Sequence, residues 1–482
     1  MSSLKKKTAR GLIWSFTDSF GVYLIKFGFS IAIARTLSPD DYGIMGLIVI
    51  FISLGQIFAQ GGFPMALINK KDAGTIDFST VFWFNAAIGA VIYLVLYFTA
   101  PLIAGFYNES IIINVIRVAA LSIILSSFSG VQLTLLSRAM NFRRQALINL
   151  LSALLSGICG ITLALKGYGV WALVFQSLTG SAVSALGLWL FSKWRPELQF
   201  SFKSFRSLFS YGYKVFLQGL GDVFFTKIYF PLIGKFFPVA QLGYYTNASR
   251  FSDIFVRQTS NAFTQVLFPA FSSIQDERER FNNNYLSAFR MLSAFMYMGS
   301  LLLIILSRSF VTVALTDKWL PAVPLMIIFF SEGFFFPLFT FNQNILLSVG
   351  RSGLSLKIDI LKKAATFASI LLVFRFGIRA LIIGQVTATA ITFFVSVFSI
   401  TKIQGVSSKS VINPLIKIML VTGACLLLNF FIIVPEVSYL WLEVAIQCTA
   451  IPLLFLLLLH LSGVKVIQEA RLFLKRADIL PF

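Results

Sequence analysis

Ionisable and polar residues recur at helical spacing inside stretches of this sequence that are otherwise apolar. The longest series begins at Thr246 and places a polar side chain every three or four residues, along one face of a helix. Its members are Thr246, Arg250, Asp253, Arg257, Asn261 and Thr264. A charge at the centre of a bilayer costs about 2.5–3.5 kcal/mol, so these groups must face water or one another. We interpret the series as the lining of an aqueous space.

Other apolar stretches carry shorter series of the same kind. They comprise Ser15, Ser19, Lys26 and Ser30 with Asp18 beside them; Ser53, Gln56 and Gln60; Lys214, Gln218, Asp222 and Thr226 with Lys227 adjacent; and Glu332, Thr340 and Gln343. Basic residues outnumber carboxylates along the series, and neutral polar residues extend them. This pattern favours the binding of an anionic group such as a phosphate or a diphosphate.

The candidate functional residues follow from these series. The candidate substrate-binding residues are Lys26, Lys214, Lys227, Arg250, Arg257, Gln56, Gln60, Gln218 and Asn261. The carboxylates either pair with these cations or carry a coupling proton or sodium ion; they are Asp18, Asp222, Asp253 and Glu332. The alternative is that the charges form structural ion pairs, for example between Asp253 and Arg257 at helical spacing. The sequence predicts no catalytic group, metal site or cofactor, and His460 is the only histidine.

The composition is that of a polytopic membrane protein. The 482 residues are 57% hydrophobic, and only 12% are charged. The net charge of +21 would suggest nucleic acid in a soluble protein. In a membrane protein it reflects basic residues in cytoplasmic loops, so we expect no nucleic-acid partner. The apolar run that follows the basic N-terminus is too long for a signal-peptide core, and we expect it to remain as the first helix.

The apolar runs predict an all-α integral membrane protein with about fourteen spans. The expected spans lie near 11–35, 43–68, 80–105, 111–135, 146–166, 169–191, 208–234, 240–271, 285–307, 321–348, 358–375, 379–401, 414–434 and 439–461. Basic residues concentrate in alternate loops, which places both termini in the cytoplasm. Lys362 and Lys363, near the start of the eleventh span, are counted with the basic residues of the cytoplasmic side. No loop is long enough to form a catalytic domain.

The chain contains two copies of a helix–turn–helix unit about two hundred residues apart. In both copies a proline lies at the turn, a glycine opens the second helix, and Phe-Pro falls near its end. The matched residues are Pro39 and Pro238, Gly43 and Gly243, and Phe63-Pro64 and Phe268-Pro269. We predict two homologous six-helix lobes around a central cavity, followed by two additional helices. The boundaries are 1–191 for the first lobe, 192–207 for a cytoplasmic interfacial linker, 208–402 for the second lobe and 403–482 for the remainder.

Four segments resemble a known family of exporters. They are TLSPDDYGIMGLI from Thr36, GGFPMALI from Gly61, SRAMNFRR from Ser137 and LGYYTNASR from Leu242. Together with the span number and the repeat, they resemble the polysaccharide exporter (Wzx-like, colanic-acid exporter type) branch of the multidrug, oligosaccharidyl-lipid and polysaccharide (MOP) exporter superfamily. The resemblance implies a flippase that moves undecaprenyl-diphosphate-linked oligosaccharides across the bacterial cytoplasmic membrane by alternating access, for capsule, exopolysaccharide or O-antigen synthesis.

The resemblance also implies how the molecule is arranged. It implies a cationic cavity lined chiefly by helices one, two, seven and eight, and two last helices outside the core. The lipid bilayer and other membrane proteins of polysaccharide assembly are the implied partners. By its match to the family loop, Arg138 is expected at the cytoplasmic rim in a structural role.

Two other functions are considered. A drug or cation antiporter of the same superfamily would share the repeat, but such proteins have about twelve spans and an acid-dominated site. A membrane-embedded polysaccharide polymerase or ligase would present a large outer loop with catalytic residues, whereas the outer loops here are short. We therefore expect a transporter and not an enzyme.

Overall fold

The computed structural model describes residues 21–430 and 440–464, together with Val466 and Glu469, and no strand occurs in those parts of the chain. The first described helix, α1, covers residues 21–36. The helices that follow are α2 (Pro39–Gln60), α3 (Phe63–Asn69), α4 (Thr75–Tyr107), α5 (Ile112–Ala119), α6 (Leu121–Arg138), α7 (Phe142–Leu165), α8 (Val170–Phe191), α9 (Phe202–Lys227), α10 (Tyr229–Phe236), α11 (Val239–Ser252), α12 (Gln258–Ser272), α13 (Arg278–Phe310), α14 (Val323–Ser331), α15 (Phe336–Ser348), α16 (Ser352–Val373), α17 (Ile378–Gln404), α18 (Ser408–Leu428) and α19 (Leu440–Leu461).

Ten helical stretches of the described chain are long and apolar enough to cross a membrane. They are Pro39–Asn69, Thr75–Tyr107, Ile112–Arg138, Phe142–Leu165, Val170–Phe191, Arg278–Leu315, Asp317–Ser348, Ile378–Gln404, Ser408–Leu428 and Leu442–Leu461. The prediction of an all-helical, multi-pass membrane protein is confirmed. Each of these ten stretches coincides with one of the fourteen expected spans.

The other four expected spans are the first, seventh, eighth and eleventh. The first is described only from residue 21, so Asp18 lies outside the described residues. The seventh corresponds to α9 and α10, the eighth to α11 and α12, and the eleventh to α16. Each of these three carries several charges within its helical residues, which lowers its apolarity below that of the ten. The charge-bearing helices are thus set apart from the rest by composition.

The chain divides into two compact units after Thr246. This boundary lies within α11, whereas the predicted linker, residues 192–207, belongs to the first unit. In the first unit, aromatic residues of α3, α4 and α9 form a buried cluster that includes Phe63, Phe78 and Phe82. In the second unit, the core gathers buried residues of α13, α15, α17, α18 and α19, and the rings of Tyr285 and Phe341 stack there. The last two helices therefore pack on α13 as part of this core.

Candidate substrate site

The two copies of the helix–turn–helix unit contact each other where their second helices begin. A Cβ atom added to Gly43 of α2 would lie 2.2 Å from the carbonyl oxygen of Val239 in α11. In the reciprocal position, a Cβ atom on Gly243 would lie 1.8 Å from the carbonyl oxygen of Pro39. Val239 follows Pro39, and Gly243 follows Gly43, by the same 200 residues. The glycines shared by the two copies are thus the positions where their backbones meet.

The start of α2 is defined by a capping box. The Ser38 hydroxyl accepts a hydrogen bond from the Asp41 amide at 3.2 Å, and the Asp41 carboxylate accepts one from the Ser38 amide at 2.9 Å. Pro39 occupies the first helical turn, where its missing N–H has no cost. This fixed start holds Gly43 and Gly46 against α11, where a Cβ atom on Gly46 would lie 2.7 Å from the Thr246 hydroxyl.

The other end of α2 closes against α9. Gly61 and Gly62 both have positive φ angles, of 56° and 73°, and they separate α2 from α3. A Cβ atom on Gly62 would lie 2.2 Å from the carbonyl oxygen of Gly212, so the backbones of the two elements touch. The rings of Phe58 and Phe216 pack edge to face beside this contact, with centroids 5.1 Å apart. One helix therefore meets the second copy at both of its ends.

Helix α9 has two exposed faces of opposite character. Lys214, Gln218 and Asp222 follow one another at intervals of four residues, and all three are exposed. Leu217 and Phe224 lie on a different exposed face, about a third of a turn away at 100° per residue. The third face, with Gly212, packs on the end of α2. In a membrane, the apolar face contacts lipid and the polar face needs an aqueous space.

The remaining predicted residues of the first unit lie on three helices. Lys26 is exposed on α1, and Gln56 and Gln60 are half-buried on α2. Lys227 is half-buried at the end of α9, with its ammonium 5.3 Å from the centre of the Phe230 ring. Lys26, Asp222 and Lys227 each have an interaction partner in the structure.

In the second unit, the predicted series runs through a break in the helix. Residues Asp253–Arg257 form a π-helical turn between α11 and α12. Such turns are rare in helices and frequently occur at functional sites. Within this turn Arg257 Nε donates to Asp253 Oδ1 at 2.5 Å. The spacing that suggested an ion pair between these two residues therefore corresponds to a real one.

Arg250 differs from Arg257 although both lie in the same series. Its side chain is half-buried, and within the described chain it takes part in no hydrogen bond, ion pair or ring contact. Asn261, one turn beyond the π-helical segment, is exposed. Arg250 is therefore a cation held in the second unit without a structural counter-charge among those residues.

Glu332 lies at a second helix break that faces the first. A 3₁₀ turn, Glu332–Phe334, separates α14 from α15, and Pro337 follows it. Glu332 is only 4% exposed, yet one carboxylate oxygen lies 3.9 Å from Arg257 Nη2 and the other accepts from Gln385 Nε2 at 3.3 Å. Irregular backbone at membrane depth is tolerated where it is buried in protein or lines a cavity. An ion pair between Arg257 and Glu332 therefore connects the two breaks.

Glycines also hold these two breaks close to α13. A Cβ atom on Gly299 would lie 2.3 Å from the Phe255 ring of the π-helical turn. A Cβ atom on Gly333, next to Glu332, would lie 2.1 Å from the Ser300 hydroxyl and 3.3 Å from Val256. Both breaks thus pack closely against α13, with a glycine at each contact. This packing fixes Arg257 and Glu332 with respect to each other.

A family model described as polysaccharide biosynthesis protein matches residues 32–324. The chain belongs to this family. The chain is 25% identical over 360 residues to teichuronic acid biosynthesis protein TuaB of Bacillus subtilis, with 74% of each chain covered. It is 26% identical to succinoglycan biosynthesis transport protein ExoT of Rhizobium meliloti, over 57% of this chain and 56% of that one. Lipopolysaccharide biosynthesis protein WzxC of Escherichia coli is 22% identical, over 75% and 74%.

Solved structures show the fold of this family member. The lipid II flippase MurJ, in an inward closed conformation, superposes with a TM-score of 0.78 at 16% identity, over 94% of this chain and 100% of that one. An inward-facing multidrug resistance MATE family transporter of the MOP superfamily gives 0.60 at 15% identity, over 82% and 98%. The multi-helix membrane fold that the resemblance implied is therefore confirmed.

One further charged residue of the second unit is Lys362, which lies in α16. Its ammonium lies 4.6 Å from the centre of the Phe336 ring and 4.5 Å from that of Phe339. Ser355, Ile358, Lys362 and Thr366 follow one face of this helix.

The predicted linker and Arg138 have structural contacts. The Glu197 amide donates to Ser79 Oγ at 3.0 Å, and the Ser201 amide donates to Thr80 Oγ1 at 3.1 Å, so the linker lies along the first turns of α4. Arg138 donates to three carbonyls at the end of α3, including that of Lys70 at 2.8 Å. Arg138 thus caps a helix C-terminus, which is a structural role.

Proposed function

We propose that this protein translocates undecaprenyl-diphosphate-linked oligosaccharide across the bacterial cytoplasmic membrane by alternating access. Its family and the relatives named for biosynthesis or transport of polysaccharides support this proposal. So does the fold that it shares with a lipid II flippase. The product would supply capsule, exopolysaccharide or O-antigen assembly, and neighbouring assembly proteins would receive it.

The observation that carries the proposal is the division of α9 into a polar and an apolar exposed face. A lipid-linked oligosaccharide has a charged, hydrated head group and a hydrocarbon tail. Lys214 and Gln218 present hydrogen-bond donors and charge on one face, while Leu217, 56% exposed, and Phe224 present hydrocarbon on the other. One helix can therefore keep the head group in water and the tail in lipid during the same movement.

The two contacts of α2 supply the gates that alternating access needs. We place both termini in the cytoplasm, as the loop charges predict, so α2 begins on the outer side. The contact of Gly43 and Gly46 with α11 is then the outer gate, and the contact of Gly62 with Gly212 is the inner gate. Separating one contact while the other holds would open the site to one side at a time.

The charged residues have separate roles in this proposal. Lys26, Lys214, Lys227, Arg250 and Arg257 attract the diphosphate, and the amides of Gln56, Gln60, Gln218 and Asn261 contact the head group. Asp18, Asp222, Asp253 and Glu332 link the cycle to a proton or sodium gradient. Asp253 and Glu332 already hold Arg257, so any coupling there acts through this arginine.

The test is the leaflet distribution of undecaprenyl-diphosphate-linked oligosaccharide in cells that lack the protein and in cells that carry it again. We expect accumulation on the cytoplasmic side, reversed by complementation. Intermediates that reach the outer leaflet and remain unpolymerised would contradict translocation and support a polymerase or ligase. Normal glycan export combined with increased drug sensitivity would support the antiporter alternative.

A further inference from the structure

Three large apolar side chains of the linker, residues 192–207, have little contact with the protein. Leu198 is 91% exposed, Phe202 is 70% exposed and Phe200 is 54% exposed. They lie within five residues of one another, where the linker leads into α9. Water is an unfavourable environment for this much hydrocarbon, and apolar patches of this kind mark surfaces that contact lipid or another protein.

The linker is fixed to the first turns of α4, which sets its depth in the membrane. The Trp83 indole donates to the Glu197 carbonyl at 2.8 Å, beside the bonds that the linker amides make to Ser79 and Thr80. Helix α4 has 33 residues and is about 50 Å long, so when centred on a hydrocarbon core of about 30 Å it extends about 10 Å beyond that core at each end. Residues 79–83 lie about 6–12 Å from its start. The linker therefore lies where the lipid head groups meet the hydrocarbon.

Packing on the protein holds the exposed rings in place. The half-buried Phe205 packs against Phe63 of the buried aromatic cluster, with ring centroids 5.6 Å apart. The rings of Phe202 and Phe200 in turn contact Phe205, at 6.0 and 6.2 Å between centroids. The two exposed rings are thus anchored on one side and presented to the surroundings on the other. The apolar surface is formed before any partner binds.

The charge of the linker is positive. It has four basic residues, Lys193, Arg195, Lys203 and Arg206, and one acidic residue, Glu197. Lys203 and Arg206 are exposed, lie three residues apart on one face of α9, and make no hydrogen bond or ion pair within the part of the chain that the structure describes. Segments that combine exposed aromatic and basic residues bind at membrane interfaces, and anionic lipids attract their cations.

We propose that the linker and the first turn of α9 form a binding site for an anionic phospholipid of the surrounding bilayer. Leu198, Phe200 and Phe202 insert between acyl chains, and Lys203 and Arg206 bind the phosphate of the head group. An acidic protein would also match the charge, but the depth set by α4 favours lipid. Bound lipid holds the start of α9 at the membrane surface. This site does not depend on which substrate the protein moves.

The first test measures the depth of the linker with nitroxide labels. In a protein whose native cysteines are replaced by alanine, Leu198→Cys, Phe200→Cys and Phe202→Cys each carry one label in nanodiscs that contain phosphatidylglycerol. Labels at Leu94, exposed within the span of α4, and at Asp72, in the loop before it, are the references for lipid and for water. We expect the three labels to collide more with oxygen, which concentrates in lipid, than with a water-soluble nickel chelate. Three labels that match Asp72 overturn the proposal and favour an acidic protein partner.

The second test measures the head-group preference. Native mass spectrometry follows the binding of phosphatidylglycerol and of phosphatidylcholine to the purified protein. We expect the wild type to prefer phosphatidylglycerol, and Lys203→Gln and Arg206→Gln each to weaken that binding about fivefold, because each removes one exposed cation. Added salt should reduce the preference by screening these charges.

The matched control is a lysine at a distance from the linker. Helix α7 starts beside the linker, where Arg144 donates to the Phe191 carbonyl at 3.3 Å, and the exposed Lys166 follows its other end. Lys166→Gln removes the same charge and should retain wild-type binding of phosphatidylglycerol. Equal binding of the two lipids by the wild type overturns the proposal. So does an unchanged preference in the double variant of Lys203→Gln and Arg206→Gln.

Discussion

The second helices of the two repeated units begin alike and end differently. Both start with a turn whose first residue contacts a glycine of the other copy, Gly43 in α2 and Gly243 in α11. Beyond this point α2 remains without charge and stops at two glycines with positive φ. The second copy carries Arg250, Asp253 and Arg257 and passes through a π-helical turn. The two copies thus share the glycine contact but differ in the charge of their second helices.

This difference separates two physical requirements. The contact between the copies is steric, because a backbone approach this close excludes a Cβ atom on either side. The site is electrostatic, and it tolerates a helix break because the break turns charged groups towards one another. The uncharged first copy and the charged second copy can therefore keep the same turn at the start of their second helices.

The largest effect is expected at the shared glycines. Gly243→Ala places a Cβ atom against the carbonyl of Pro39, and Gly43→Ala does the same against Val239; backbone cannot rotate away, so each should destabilise the fold by about 1–3 kcal/mol or more. Gly105→Ala is the matched control, because no atom of the described residues lies within 4 Å of its Cβ position. Thermal unfolding of the purified proteins measures the difference. Equal midpoints for the shared glycines and Gly105 would show that the contact is not tight.

The outer gate can be locked by a disulfide. In a protein whose native cysteines are replaced by alanine, Gly46→Cys with Thr246→Cys should cross-link on oxidation, because the two positions already touch. Export should stop almost completely and return with a reductant, since the site can no longer open outward. Each single cysteine variant is the control. A cross-linked protein that still exports glycan would rule out opening at this contact.

Two arginines of the second copy should separate binding from stability. Arg250→Ala should abolish export and leave the unfolding midpoint unchanged, because no described partner loses a contact. Arg257→Ala should also lower the free energy of unfolding, on the order of 1–3 kcal/mol, because buried Glu332 loses its cation. Adding Glu332→Gln should restore stability but not export. Normal export in both Arg250→Ala and Lys26→Ala would contradict substrate binding by these cations.

Much of the fold follows from the sequence because a bilayer demands long apolar helices. The spans, the repeat and the polar face of α9 could all be found from spacing alone, since Lys214, Gln218 and Asp222 lie at steps of one helical turn. The equivalence of Gly43 and Gly243 was also visible. Their mutual contact was not, because similarity between two segments does not reveal which of their residues touch.

The geometry of the charged site could not be predicted from the sequence, for a different reason. A series counted at 3.6 residues per turn suggests the Asp253–Arg257 pair, but it assumes an unbroken helix and does not reveal the π-helical turn in which this pair lies. Arg257 and Glu332 are far apart in the chain, and the packing of the π-helical turn and α12 on α13 and α15 brings them together.

The smallest effect is expected in α9, the first helix of the second copy, where a polar and an apolar exposed face can be compared. Lys214→Gln removes a charge from its polar exposed face, and export should fall several-fold while the unfolding midpoint stays constant, because exposed charges contribute little to stability. Leu217→Ala, on the apolar exposed face, should leave export unchanged, because lipid tails fill the space the side chain leaves. Initial export rates at two salt concentrations would show the Lys214 difference shrinking at high salt, where solvent-exposed charges are screened. If Leu217→Ala instead lowered export as much as Lys214→Gln, the two faces would not be divided between water and lipid.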